Sequence, residues 1–230
     1  MLSIIIPTLN ANTTLVSTLS SLVPGLISGI ISEVILVDGG STDKTIEIAE
    51  LAGLTVIHSK CGRGVQLRIG AETAKKGEWL LFLHADTVLA PGWDEEVTSL
   101  IEDIKTKKCA ELAAAFRFEL DDTGVMPWLV ELGVAWRCCL FHMPYGDQGL
   151  LISRQLYDSV GGYRAIPLLE DVDLIRRIGY SRILMLKTSA ITSATRYKRE
   201  GYIWRVLRNR FCLLLYCCRI PIKYIVQLYS

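Results

Sequence analysis

The chain has 230 residues, half of them apolar and 21% charged, with a formal net charge of +1. This length and apolar content suit one domain with a buried core, and they exclude a disordered chain, a collagen-like repeat and a disulfide mini-protein. The near-neutral total conceals a split. Residues 196–230 hold eight Lys/Arg against Glu200 alone, so that segment is +7 and the remainder −6, while residues 1–32 carry no charged side chain.

The uncharged opening does not read as a membrane span. A span needs about 20 predominantly apolar residues, and here Pro7, Asn10, Asn12, Thr13, Thr14 and Pro24 interrupt the run. It also lacks the basic n-region of a signal peptide, so export is not expected. Seven cysteines (Cys61, Cys109, Cys138, Cys139, Cys212, Cys217 and Cys218) form no CxxC pair. They are expected to be reduced, small buried hydrophobes in a cytoplasmic setting, not zinc ligands.

Short β-branched runs at 3–6, 33–37, 54–57 and 79–83 read as strands. Helical segments at 12–23, 43–52 and 63–75 separate them, with Ser41 or Thr42 as a cap for the second. Apolar strands alternating with helices predict a mostly parallel sheet with helices on both faces. Beyond residue 90 a helix is expected at 91–105, a strand at 112–120, a Trp-bearing helix at 124–142 and a short strand at 150–152. Helices follow at 153–160 and 170–178, then a strand at 182–186. The rest reads as helical and basic. The expected division is a domain over 1–199 with an amphipathic appendage over 200–230.

Ligands of open α/β sheets bind beyond the carboxyl ends of the strands. Those ends here read Pro7-Thr8-Leu9-Asn10, Asp38-Gly39-Gly40-Ser41-Thr42-Asp43 and His84-Ala85-Asp86-Thr87. Neither GxGxxG nor GxxxxGK[ST] is present, which argues against a dehydrogenase and a P-loop enzyme. Asp38 can accept from a base or ribose, or it can bond the following turn. Arg63 and Gln66, after Cys61-Gly62, are placed to meet a phosphate or to form an ordinary loop and helix. Asp86 can hold a divalent cation that bridges a diphosphate, with His84 beside it. Asp147-Gln148 lies in a polar turn suited to an acceptor, or to turn formation alone. Glu170, Asp171 and Asp173 crowd three acids into four positions. They suit a helix N-terminus, and they also suit a general base.

Together, Ser-Ile-Ile-Ile-Pro-Thr-Leu-Asn, Val-Asp-Gly-Gly-Ser-Thr-Asp, His-Ala-Asp-Thr, Gly-Asp-Gln and Leu-Glu-Asp-Val-Asp resemble the family 2 glycosyltransferases. Within that family the chain looks like small bacterial members with a His-Ala-Asp form of the DxD motif. The resemblance covers residues 2 to about 200. It implies a GT-A fold, a nucleotide-diphosphate sugar donor (UDP-sugar foremost) and inversion by one direct displacement, with hexosyl transfer. It places Pro7, Thr8, Asn10, Asp38, Gly40, Arg63, Gln66, His84, Ala85 and Asp86 on the donor side. Asp86 holds Mn²⁺ or Mg²⁺, Asp171 is the general base with Glu170 as its substitute, and Arg196 is near the diphosphate. Asp147 and Gln148 fall on the acceptor side. His84 departs from the family by standing where an acid is usual.

The basic, apolar tail fits three roles: contact with the cytoplasmic membrane face, docking on the core, or a homodimer interface. Membrane contact would suit a lipid-linked or apolar acceptor. No nucleic-acid motif accompanies the basic residues. Two other functions compete. A sugar nucleotidyltransferase would need a Gly- and Arg-bearing loop after the first strand, which Pro7–Asn12 is not. A catalytically silent nucleotide-binding scaffold would explain His84 but not the retained Asp86, Glu170 and Asp171.

Overall fold

The first strand, β1 (Leu2–Thr8), is buried along its whole length, because strands flank it on both sides. The structure, a computed structural model, describes residues 1–107, 112–141 and 143–229. The other strands are β2 (Ile31–Asp38), β3 (Thr55–His58), β4 (Trp79–Phe82), β5 (Thr87–Leu89), β6 (Ala113–Leu120), β7 (Leu150–Ser153) and β8 (Ile183–Thr192). The eight form one sheet in the order β3-β2-β1-β4-β7-β6-β8-β5. β7 runs antiparallel to β4 and β6, β5 runs antiparallel to β8, and the remaining pairings are parallel.

The helices among the described residues are α1 (Leu15–Ser21), α2 (Val23–Ile27), α3 (Thr45–Leu51), α4 (Arg63–Thr73), α5 (Trp93–Lys107) and α6 (Val125–Phe141), followed by α7 (Arg154–Ser159), α8 (Glu170–Ile178), α9 (Thr195–Glu200), α10 (Tyr202–Cys217) and α11 (Ile222–Tyr229). None is long and apolar enough to cross a membrane. Alternation along β1 sorts them onto two faces. Leu2, Ile4 and Ile6 pack with Leu15, Leu22, Trp93, Val97 and Ile101. Ile5 packs oppositely, with Leu67, Ala71, Leu156, Leu174 and Ile178. Each fully buried Leu or Ile contributes about 1.5–3 kcal/mol. Gly70 lets α4 approach closely, since a Cβ there would stand 2.3 Å from Ile5 Cγ2.

Most expected elements are present within a few residues, and Ser153 caps α7 by accepting from the Leu156 amide. Three expectations change. Neither Ser41 nor Thr42 caps α3. Asp43 Oδ1 instead accepts from the Thr45 amide at 3.0 Å and hydroxyl at 2.5 Å. Residues 187–192 are strand, not helix, because they pair with both β6 and β5. Cys138 and Cys212 are buried as expected, but Cys61, Cys139, Cys217 and Cys218 are exposed free thiols. Cys109, and the expected end of the Trp-bearing helix at residue 142, lie outside the described residues. The boundary expected at 199 falls inside α9, and α10 packs against α6 and α9.

Candidate active site

The carboxyl ends of β1, β2 and β3 finish in register, Thr8 beside Asp38 and Asp38 beside His58. A ledge of hydrogen bonds caps them. Asp38 is fully buried. Its Oδ2 accepts from the amides of Gly40 and Ser41 at 2.8 and 2.9 Å, and its Oδ1 from the Ser41 hydroxyl at 2.5 Å. Gly40 turns with φ +100°, a conformation that favours glycine. Asn10, itself left-handed at φ 52°, accepts from the Thr42 amide at 2.9 Å and donates its own amide to Ser41 Oγ at 2.8 Å. Gln66 Nε2 donates to the carbonyls of Thr8 and Val37, both at 2.8 Å. Pro7 and Thr8 are buried beneath this ledge. Ala85 is also buried, and its carbonyl accepts from the Thr18 hydroxyl at 3.0 Å.

A cavity of about 270 Å³ lies farther along the sheet, lined by Arg63, His84, Asp86, Asp147, Glu170, Asp171 and Arg196. Seven residues singled out from five separate sequence segments thus meet at one place. α8 delivers the acids. Its apolar residues Val172, Leu174, Ile175 and Ile178 are buried, which leaves its first turn at the cavity. Leu169, just before it, holds a left-handed conformation at φ 62°, which is uncommon for a bulky residue. Strain of this kind, of order 1–3 kcal/mol, tends to gather at functional sites.

The carboxylates differ in what they already bind. Glu170 is buried and paired with Arg63, Nε to Oε1 at 2.6 Å. Burial acts against the Arg63 cation, but Glu170 and Asp171 overcome it and hold its pKa above the ordinary value. Asp171 Oδ2 accepts from the Gly146 amide at 2.7 Å, and Oδ1 from the Val172 amide at 2.7 Å. Asp147 has its pKa raised, first by burial and then by Asp171, against the pull of Arg137. Gln148 is buried and committed: its Nε2 donates to the Phe116 carbonyl, and its Oε1 accepts from Arg137 and the Tyr145 amide. These bonds brace the turn, the second of the two roles open to it. Gly64 likewise serves packing, since a Cβ there would meet the Arg164 carbonyl at 2.5 Å.

His84 and Asp86 follow β4, with Nδ1 and Oδ1 3.9 Å apart. Burial, then Arg63 and Arg196, push the His84 pKa well below its ordinary value, so the imidazole is neutral near pH 7. The Asp86 carboxylate accepts no hydrogen bond from the described residues. No group of three His, Cys, Asp or Glu among the described residues could hold a metal alone. A free carboxylate beside a neutral imidazole does fit a Mg²⁺- or Mn²⁺-type ion that takes its other ligands from phosphate and water.

Tyr145, Tyr197 and Asn209 also line the cavity, and the sequence reading gave them no role. Burial pushes the Tyr145 hydroxyl up to about 12. Tyr145 neighbours a turn already marked by Asp147. Asn209 is signalled only as a lone amide in an otherwise cationic and apolar helix.

Residues 3–110 match the glycosyl transferase family 2 model. A PGL/p-HBAD biosynthesis glycosyltransferase from Mycobacterium tuberculosis (strain ATCC 25177 / H37Ra) is 42% identical over 96 residues. That match takes in 39% of this chain and 36% of the relative, so the chain spans about a third of the length of such mycobacterial relatives. An uncharacterized glycosyltransferase from Haemophilus influenzae is 28% identical over 189 residues, covering 77% of this chain and 62% of that one. Among solved structures, glucosyl-3-phosphoglycerate synthase from M. tuberculosis, in complex with Mn²⁺ and UDP-glucose, superposes with a TM-score of 0.63. It is 21% identical and covers 96% of this chain and 80% of its own. S. aureus TarS 1–349 in complex with UDP-GlcNAc gives a TM-score of 0.60 at 19% identity, over 84% of this chain and 58% of that one. The fold is therefore GT-A, as the sequence resemblance implied.

Proposed function

We propose that the protein is an inverting family 2 glycosyltransferase that moves a sugar, a hexose foremost, from a nucleotide diphosphate, UDP first among them, to an acceptor hydroxyl. The observation that carries this reading is the single cavity in which Asp86, Asp171 and Arg196 meet at the carboxyl edge of the sheet. The reaction joins the acceptor oxygen to the anomeric carbon as the bond from that carbon to the diphosphate oxygen breaks. The electron pair leaves with the diphosphate, and the acceptor proton passes to Asp171. A carboxylate within hydrogen-bond reach of the hydroxyl suits that proton transfer. The Gly146 amide on Asp171 Oδ2 fixes the direction of the base. Glu170, committed to Arg63, is the poorer base of the two.

Asp86, with His84 beside it, would hold a divalent ion; when bound, such an ion neutralises charge on the departing diphosphate. Arg196 is exposed at the cavity wall and would add a second positive charge there. The ledge at Asp38 and Asn10 faces the base and ribose side, where its role is to shape the pocket floor. The Mn²⁺ and UDP-sugar complexes of similar folds support this donor class.

A panel of UDP-, GDP- and dTDP-sugars incubated with the protein and Mn²⁺ tests the reading through release of nucleotide diphosphate. Release from one sugar nucleotide above the rest is expected. Silence across the panel, with no diphosphate-dependent binding, would overturn it.

A further inference from the structure

The cavity that holds Asp171 shares a wall with a second one, a groove of about 680 Å³ between α6 and α10. Tyr145, Asp147, Tyr197, Asn209 and Leu213 line both. Away from this junction the groove walls are mostly apolar, with Leu129, Trp136, Leu140, Val206 and Leu207 among them and Arg137 and Arg210 as the charged members.

Two independent observations point to a ligand. The first is at the junction. Tyr145 Oη, Asp147 Oδ1 and Asn209 Oδ1 are buried and have no hydrogen-bond partner among the described residues. Buried polar atoms are rarely left so, and three together call for a group that meets them. The second is the way α10 is turned. Two of its three cations point inward, Arg205 and Arg208, which both pair with Glu200, while Arg210 is exposed. Apolar side chains of α10 point outward, with Trp204 67% and Leu207 55% exposed, and Trp136 of α6, 60% exposed, lines the groove with Leu207. A helix docked only to cover the core would show the reverse arrangement.

We infer that the acceptor is an amphiphile: a hydroxyl-bearing head meets Tyr145, Asp147 and Asn209 beside Asp171, and an aliphatic or aromatic body lies in the α6–α10 groove. The word acceptor rests on the transfer reaction proposed above; the binding site itself does not. A polypeptide is a poor occupant, because each residue brings a backbone donor and acceptor that apolar walls leave unmet. A bare sugar would satisfy the head site and leave the groove wet.

The test titrates the full chain with octyl β-glucoside, below its micelle-forming concentration, and with methyl β-glucoside, which keeps the head and lacks the body. Calorimetry and tryptophan fluorescence provide the readouts, since Trp136 lines the groove. Octyl β-glucoside is expected to bind at least tenfold more tightly. Leu207→Asp and Leu129→Asp, both at exposed positions that tolerate a charge in the fold, should each erase that difference while UDP affinity with Mn²⁺ stays within twofold. Equal binding of the two glucosides would overturn the inference, as would unchanged octyl binding in both variants. A dimer that Leu207→Asp splits in light scattering would also overturn it, because the occupant is then a second copy. Lost UDP binding with the octyl preference retained would remove the donor reading and leave the amphiphile site standing.

Discussion

The ledge at the ends of β1 and β2 and the cavity beside α8 draw on the same kinds of side chain, yet they are finished differently. In the ledge, both Asp38 oxygens, the Asn10 amide oxygen and Gln66 Nε2 all have partners within the loop and its strands. In the cavity, neither the Asp86 carboxylate nor Asp147 Oδ1 has a hydrogen-bond partner among the described residues, and Arg196 stands exposed. Satisfied polar groups fix a shape, whereas open ones are available for a substrate, as is Asp171, whose oxygens each accept one backbone amide and keep a lone pair to spare. Substitutions should therefore separate into two kinds, loss of chemistry in the cavity and loss of stability in the ledge.

The largest effect is expected at Asp171. Asp171→Asn should lower transfer by about 10²–10⁴-fold, the range for a general base, while donor affinity stays within twofold. Steady-state rates and calorimetry read the two separately, and a parallel fall in both would erase the contrast. Arg196→Ala should cost turnover on the order of tenfold, below the usual range for a charge-stabilising donor because this side chain is exposed.

The ledge should respond in the opposite way. Gln66→Ala strips the partner from two carbonyls, at a cost of about 1–3 kcal/mol. Thermal unfolding should then shift down by roughly 2–4 °C per kcal/mol, with the chemical step little changed. An unshifted Tm would show that the bonds to Thr8 and Val37 carry no stability.

The smallest effect lies away from both regions. Glu33 Oε1 accepts from the Ser3 hydroxyl and the amides of Lys75 and Lys76. Burial raises its pKa, but the Ser3 hydroxyl and these amides outweigh it and hold the carboxyl below its ordinary value. A folded pKa below the unfolded one means stability that is fully present above about pH 4.3 and fades as pH falls through the depressed value. Glu33→Gln should flatten that part of the acid-unfolding curve, measured by circular dichroism.

Much of the fold was legible in the sequence, because buried parallel strands read as apolar runs whose ends are marked by polar residues. The run 3–6 and Trp79–Leu83 identified β1 and β4 in this way. β5 was not legible: Thr87–Leu89 is three residues long and exists through pairing with β8, a hundred residues away. The polar half of β8 was hidden for the same reason. Site positions were legible too, since ligands gather at strand ends. Which acid stays open was not. Asp38 and Asp86 follow strands alike, and only the folded loop shows that the first is consumed by Ser41 and Gly40. Nor could the tail be oriented from its composition. Alternating cations and apolars do not reveal that Glu200 turns Arg205 and Arg208 inward.

The central claim is that Asp86 anchors a metal-dependent donor site in a fold whose ledge is built independently of it. Calorimetric titration of UDP, with and without Mn²⁺, into the natural protein and Asp86→Ala tests this most directly. The account predicts Mn²⁺-dependent binding in the natural protein, its loss in the variant, and an unchanged Tm. UDP binding that ignores both Mn²⁺ and Asp86 would contradict it.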